Sequence, residues 1–485
     1  MCTIAAFSFR PKARMPAALV WFRNDLRLAD NPALHMALEA GFDPVPVYIH
    51  APHEEGRWAP GAASNAWRHR SLKALSADLH ARGSRLVVRQ GDSSRVLEAL
   101  IAQSGAQALF WNRKYEPVTQ PRDAAIKQAL KDQGFDARSC NAALLAEPWD
   151  VTTKSGGPYK VFTPYYRSVL AALPRRALQD APRTLPPVPA AIGSEGVDAL
   201  GLKPRLGWDA GFWAQHQPGE AGAHEALEVF VDGALSGYLD QRDLPDRTGT
   251  SQLSPHLHFG EIAPWRVVAR LEQVRSARLE RDIEGFIRQL VWREFAYHLM
   301  HHFPHTIEDN LNPRFDGFRW ARVDASRMQA WQRGRTGVPI VDAGMRQLWQ
   351  TGVMHNRVRL LVASYLTKHL RVHWLEGARW FWDTLIDADL ANNTLGWQWV
   401  AGTGADASPY FRIFNPVTQA QKFDPKARYI TRWVPELEAL PLQARFAPWE
   451  SPDLLERLAP DYPRQPLVDL SEGREAALAA YAATR

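Results

Sequence analysis

Cysteine is almost missing from these 485 residues: there are two, Cys2 and Cys140. That leaves no disulfide framework and no cysteine-ligated zinc site to organise the fold. Long apolar runs are missing too. No stretch of eighteen or more could cross a bilayer as a helix, and no apolar core follows Arg10, Lys12 and Arg14 to make a secretion signal. The expectation is a cytoplasmic chain without membrane contact, carrying a disordered tail over residues 1–16. A strong excess of charge is also lacking. With 46% hydrophobic and 23% charged residues the chain can fold, and a net charge of +6 permits an anionic partner without demanding one. No G-x-G-x-x-G follows the first predicted strand, so the standard dinucleotide loop is not expected there.

What is present falls into differently patterned stretches, and the length favours more than one domain. Over residues 17–146, short apolar runs at 19–22, 45–49, 86–88 and 109–111 alternate with amphipathic segments, the pattern of a parallel α/β sheet. Asp30, Asn31 and Pro32 supply a cap and a first-turn proline for the first helix. Residues 147–220 are rich in Pro, Gly and Ala and read as a linker. Residues 221–450 carry long helical periodicity and few strand signals, which predicts an all-α domain. Residues 451–485 read as an arm ending in a short Ala-rich helix.

Several constellations could carry chemistry. Thr250, Ser251 and Ser254 stand where hydroxyls and backbone amides can wrap a phosphate ahead of a helix; a plain helix cap is the simpler alternative. Farther on, Ile283, Phe286, Ile287 and Leu290 mark one helical face. Gln289, Trp292 and Ala296 lie on the other, which can line a cavity. Asn356, Arg359, Leu360 and Ala363 similarly stack an amide and a guanidinium on an apolar floor, with Asp387 and Asp389 as candidate partners for the arginine. Those two acids offer too few oxygen ligands for a metal site, and no metal is expected. Nineteen tryptophans crowd towards the second half. Core filling is the default role for each.

The strings VWFRNDLRLADNPAL, TSQLSPHLHFGEI, WREF, GVPIVDAGMRQL, MHNRVR, DADLANN and GWQWVAGTGADASPYFRIFNPVTQ, in this order, resemble the DNA photolyase/cryptochrome family from residue 17 to about 440. LSPHLHFGEI and WFWDTLIDADL are similar to the photolyase branch related to plant cryptochromes. The resemblance implies a Rossmann-like α/β antenna domain followed by an all-α FAD-binding domain. It implies that Thr250, Ser251, Gln252, Leu253 and Ser254 hold the FAD phosphates, with Tyr238, Trp292 and Arg293 nearby. Asn356, Arg359, Asp387 and Asp389 would line the flavin, and Asn393 would face its N5, where plant cryptochromes carry Asp. Trp397, Trp374 and Trp320 match a wire that carries electrons to photoexcited FAD.

The implied function is light-driven splitting of cyclobutane pyrimidine dimers in single- or double-stranded DNA, recognised without reading sequence, by a monomer. Trp292 and Trp399 match positions that pack against the flipped-out dimer. Two positions depart from the pattern: Gln289 replaces the usual Glu, and Leu360 replaces a Met found in several members. They favour the alternative, a cryptochrome-like blue-light photoreceptor with weak or lost repair and an unnamed signalling partner. Photolyases for the six-four lesion carry Gln at this place but need two histidines where this chain has Asn356 and Leu360. Val118 and Thr119 replace the Asn-Glu pair of folate-binding photolyases, so a folate antenna, a deazaflavin antenna or none stays open.

Overall fold

The computed structural model describes residues 15–172, 176–322, 324–406 and 411–484. Apart from Met15 and Pro16, the expected tail over 1–16 lies outside them. The chain begins β1 (Ala17–Phe22), α1 (Pro32–Glu39), β2 (Asp43–His50), α2 (Ala62–Ala81), β3 (Val87–Gln90), α3 (Ser93–Ser104), β4 (Ala108–Asn112), α4 (Thr119–Asp132) and β5 (Asp136–Cys140). All pairings are parallel, in the order β3-β2-β1-β4-β5. The central strand is covered on both faces, which is why Ala18 through Phe22 form one apolar run, each at most 1% exposed.

Four strands coincide with the predicted runs. The fifth, of sequence DARSC, buries only Ala137 and Cys140 and has no apolar run to announce it. The cap of α1 is Asn31, whose side chain accepts from Leu34 N. Asp30 adopts a left-handed φ of 51° and instead accepts from Gln179 N at 2.8 Å.

The 147–220 segment, read as a linker, contains the helix α5 (Phe162–Ala172), which buries Phe162, Tyr165 and Val169. After it come α6 (Glu220–Val229), α7 (Tyr238–Gln241), α8 (Ser254–His258), α9 (Pro264–Gln273), α10 (Glu280–His302), α11 (Ala325–Gln332), α12 (Pro339–Thr351), α13 (Asn356–Ser364), α14 (Trp374–Thr384) and α15 (Leu390–Ala401). Shorter helices follow, and then a terminal helix, Leu470–Ala482. Among the described residues no strand follows β5. No described helix is long and apolar enough to cross a membrane.

The α/β and helical halves are joined through main-chain groups. Leu26 N donates to Phe259 O at 3.1 Å, and the Glu220 carboxylate accepts from Leu28 N and Ala29 N at 2.7 and 3.0 Å. The buried Arg27 guanidinium donates to Gly260 O, Asp30 O and Ala142 O at 2.8, 2.7 and 2.9 Å. Gly260 has φ +64°, and a Cβ there would overlap the Asn24 carbonyl, so glycine is required on both counts. On α10, Arg293 donates to Ala143 O at 2.8 Å, while Glu294 accepts from Leu145 N at 2.9 Å.

Burial raises the Glu294 carboxyl to about 7 despite the nearby Arg293 charge and the two backbone donors at 145 and 146. The folded state therefore keeps a proton that the unfolded chain releases above about pH 4.5, so this group's stabilisation is lost as pH rises towards 7. In urea unfolding at a series of pH values, Glu294→Gln is expected to remove a decline of about 3 kcal/mol from that interval. Parallel pH profiles for parent and variant would contradict it.

Candidate functional site

The long helix α10 has two characters along its length. Ile283, Phe286, Ile287 and Leu290 are buried, as their spacing predicts, whereas Gln289 and Trp292 are half-buried. Ala296, expected on that open face, is 1% exposed, because the C-terminal half of the helix is enclosed all round. A matching stripe runs along α15, where half-buried Asn393, exposed Gly396 and half-buried Trp399 follow at three-residue intervals. On α13, Asn356 is exposed, Arg359 and Leu360 are half-buried and Ala363 is buried. These stripes belong to helices that pack on one another, α10 on α15 and α13 on α15.

Polar links tie the stripes together. Ser254 Oγ donates to Asp387 Oδ2 at 2.5 Å, and Arg359 Nη2 donates to both oxygens of the same carboxylate at 3.0 and 2.9 Å. Arg359 Nε is spent on Met354 O at 2.8 Å, which fixes the fork. Asp389 caps α15 by accepting from Asn392 N at 2.9 Å, and it also accepts from the Tyr297 hydroxyl. Burial pushes the Asp389 carboxyl up, but the His258 hydrogen bond and charge, the Arg293 charge and the Tyr297 hydroxyl outweigh that and hold it below its usual range. Asn393 Nδ2 donates to Ala378 O at 2.9 Å, setting the plane of its amide.

In the 250–254 loop, Gln252 takes a left-handed φ of 56°, its Nε2 donates to Thr250 Oγ1 at 2.7 Å, and Leu253 N donates to Ser251 Oγ at 3.3 Å. Tyr238 is wedged between Phe230 and Phe286. Arg293 reaches the domain junction, donating to Ala143 O and Leu257 O. Hydroxyls and amides from the loop, the Arg359 cation and the Asn393 amide form a donor set that fits a diphosphate-bearing flavin nucleotide. FAD suits these residues.

Sequence reasoning overlooked Arg242. It stands four residues after Tyr238, its guanidinium 5.3 Å from that ring, and donates to Gln289 Oε1 at 3.1 Å. Beside α7 opens a cleft of about 740 Å³ whose walls include Asp243, Arg357, Arg412, Phe414, Lys422 and Phe423. Arg357 and Asp243 pair across it at 2.8 Å. Val118 and Thr119, which replace the folate-site pair, are split between surface and core at 43% and 1% exposure.

The three wire candidates lie at or beside α14. Trp397 is 2% exposed and packs so tightly on Gly377 of α14 that a Cβ there would overlap its ring. Trp374, fully buried, starts the same helix one turn earlier, and its Nε1 donates to Asn310 Oδ1 at 3.1 Å. The His373 ring lies 5.5 Å from Trp374 and 5.0 Å from half-buried Trp320.

Residues 18–189 match the family described as DNA photolyase, and residues 286–483 match the FAD binding domain of DNA photolyase. The chain is similar to a deoxyribodipyrimidine photo-lyase of Agrobacterium fabrum, 48% identical over 96% of this chain and 98% of that protein. It is 37% identical to cryptochrome-1 of Arabidopsis thaliana, over 94% of this chain and 69% of that one. Its structure superposes on a class III photolyase from Agrobacterium tumefaciens with TM-score 0.93 at 47% identity, over 98% and 99% of the two chains. A Synechocystis cryptochrome superposes with TM-score 0.87 at 28% identity, over 97% and 100%.

Two substitutions probe the tryptophan geometry. Gly377→Ala, by forcing the Trp397 ring aside, is expected to cost about 1–3 kcal/mol in urea unfolding and to slow photoreduction of bound flavin. Trp397→Phe is expected to keep the flavin but lose most photoreduction, read as bleaching of flavin absorbance under blue light. A parental rate in Trp397→Phe would show that electrons enter by another route.

Proposed function

Because the chain belongs to the DNA photolyase/cryptochrome family, we propose that it is a deoxyribodipyrimidine photolyase, an FAD-dependent enzyme that uses blue light to split cyclobutane pyrimidine dimers in DNA. The observation that carries this reading is the pair of half-buried indoles, Trp292 and Trp399, on the open stripes of two packed helices, with the Gln289 amide beside one of them. Aromatic faces stack any base, and an amide reads a base carbonyl. The greater identity to a photolyase than to a cryptochrome points the same way.

FAD held by the 250–254 loop, Arg359 and Asn393 would supply the light-driven electron. The chain's own residues do the rest. Arg242 engages Gln289 Oε1 and one amide N–H donates back to Gly285 O at 3.5 Å, which leaves the other to donate to a dimer carbonyl as charge grows there. Arg357, Arg412 and Lys422 at the cleft beside α7 suit phosphate contacts that position DNA without reading sequence. The direct test is dimer loss from irradiated DNA per absorbed photon, with the flavin reduced. Flavin absorbance without dimer loss would select the photoreceptor alternative, which Gln289 and Leu360 favour.

Gln289→Glu separates the roles of donor and acceptor. A Glu beside Arg242 can donate only while protonated, and once ionised it is acceptor-only. Repair by the variant is therefore expected to fall as pH rises through the Glu pKa, by on the order of 10²-fold if the donor is fully used. Over the same range the parent's Gln289 does not titrate. Profiles of the same shape for both proteins would remove Gln289 from the lesion contact.

A further inference from the structure

We propose that Phe162 and Asp406 are positioning residues that fix the two indoles, Trp292 and Trp399, as a matched pair of walls for the flipped pyrimidines. The inference rests on the repair reading above and names what makes its binding site selective.

Phe162 comes from α5, in the segment whose composition reads as a linker. Its ring lies 3.6 Å from the Trp292 ring with only 6° between the planes, so one whole face of that indole is covered. Phe162 is itself 1% exposed and held from several sides. Tyr166 stacks on it at 5.7 Å, Phe295 meets it edge-on at 5.8 Å, and the Arg288 guanidinium lies 4.9 Å from its ring and 5.0 Å from that of Tyr166. Trp292 thus has little freedom to rotate.

Trp399 is fixed differently. Its Nε1–H donates to the carbonyl oxygen of Asp406 at 3.2 Å. Asp406 adopts φ +50°, a left-handed conformation that Asp tolerates better than most residues, and the turn brings that carbonyl back onto α15. Burial raises the Asp406 carboxyl above its usual range, while the nearby Phe162 backbone N–H and the Arg288 charge pull it down, which places it on the Phe162 side of the turn. Asp406 therefore holds Trp399 by its main chain with its carboxyl turned towards Phe162, and Phe162 holds Trp292. The two indoles belong to different helices yet share one brace. Bracing matters because a stacking wall that must first be ordered spends binding free energy on its own entropy.

The test compares an oligonucleotide bearing a single thymine dimer with its undamaged twin. FAD content and thermal unfolding monitor the fold. Phe162→Leu keeps apolar bulk but loses the plane; dimer affinity is expected to fall about tenfold while undamaged DNA binds within about twofold of parent. Phe162→Tyr keeps the ring, and affinity should return to within about threefold of parent. Asp406→Gly preserves the left-handed backbone and the carbonyl but deletes the carboxyl; a loss of about threefold, again confined to the dimer, is expected. Unchanged dimer affinity in both Phe162→Leu and Asp406→Gly, or equal losses on both DNAs, would overturn the proposal. A parent that does not prefer the dimer would overturn the repair reading and this inference with it.

Discussion

Two neighbouring side chains on α10 grip the main chain where the α/β half ends, Arg293 holding the carbonyl of Ala143 and Glu294 the amide of Leu145. Glu294 is fully buried and Arg293 largely so, and buried ionisable groups are tolerable only when their hydrogen bonds are met. The register between sheet and helix is therefore set to within the reach of a hydrogen bond. Gln289 lies one turn earlier on the same helix and Trp292 directly precedes Arg293, so fixing the junction also fixes the open stripe of α10. Arg293 extends the constraint to α8 through Leu257 O, and α8 begins with the Ser254 that meets Asp387. Scaffold and site are in this sense one hydrogen-bonded unit.

The tryptophans show why the bland and the functional explanations of a residue need not compete. Trp397 and Trp374 are as buried as any core side chain, and the main helical core includes both. The same close packing holds Trp397 against α14 and Trp374 at its start, with half-buried Trp320 on the other side of the His373 ring. Glycine at 377 is what allows α14 to approach the Trp397 ring so closely.

The broad architecture was legible because periodicity reports burial. The first four strand runs, the apolar face of α10 and the helical character of the second half all follow from local pattern. β5 escaped since an edge strand with two inward residues leaves almost no pattern. Helix α5 escaped since its three buried residues sit among prolines and glycines. In the site, residue types and spacing singled out Ser254, Arg359 and Asp387, which the structure joins into one cluster. Arg293 makes contacts at the domain junction as well, and Ala296 is enclosed. Arg242 could not be found by spacing, because its partner Gln289 lies 47 residues away, nor could Asp406, which meets Trp399 through its main-chain carbonyl and not its side chain. Tertiary contacts alone give them meaning.

The dependence of the sheet's first loop on distant partners bears on how the molecule is made. Arg27 leaves the ribosome long before Gly260, whose carbonyl takes one of its guanidinium hydrogens across a separation of 233 residues. Leu28 N and Ala29 N likewise wait for Glu220, and Leu26 N waits for Phe259. A nascent chain halted before residue 220 can complete the parallel sheet and give Arg27 its acceptors at Ala29, Asp30 and Ala142, but the loop still lacks Glu220, Phe259 O and Gly260 O. The α/β half is thus built as an unfinished surface during synthesis. It matures only when the helical half emerges and closes over it, a non-local step that makes folding of the two halves cooperative and slow.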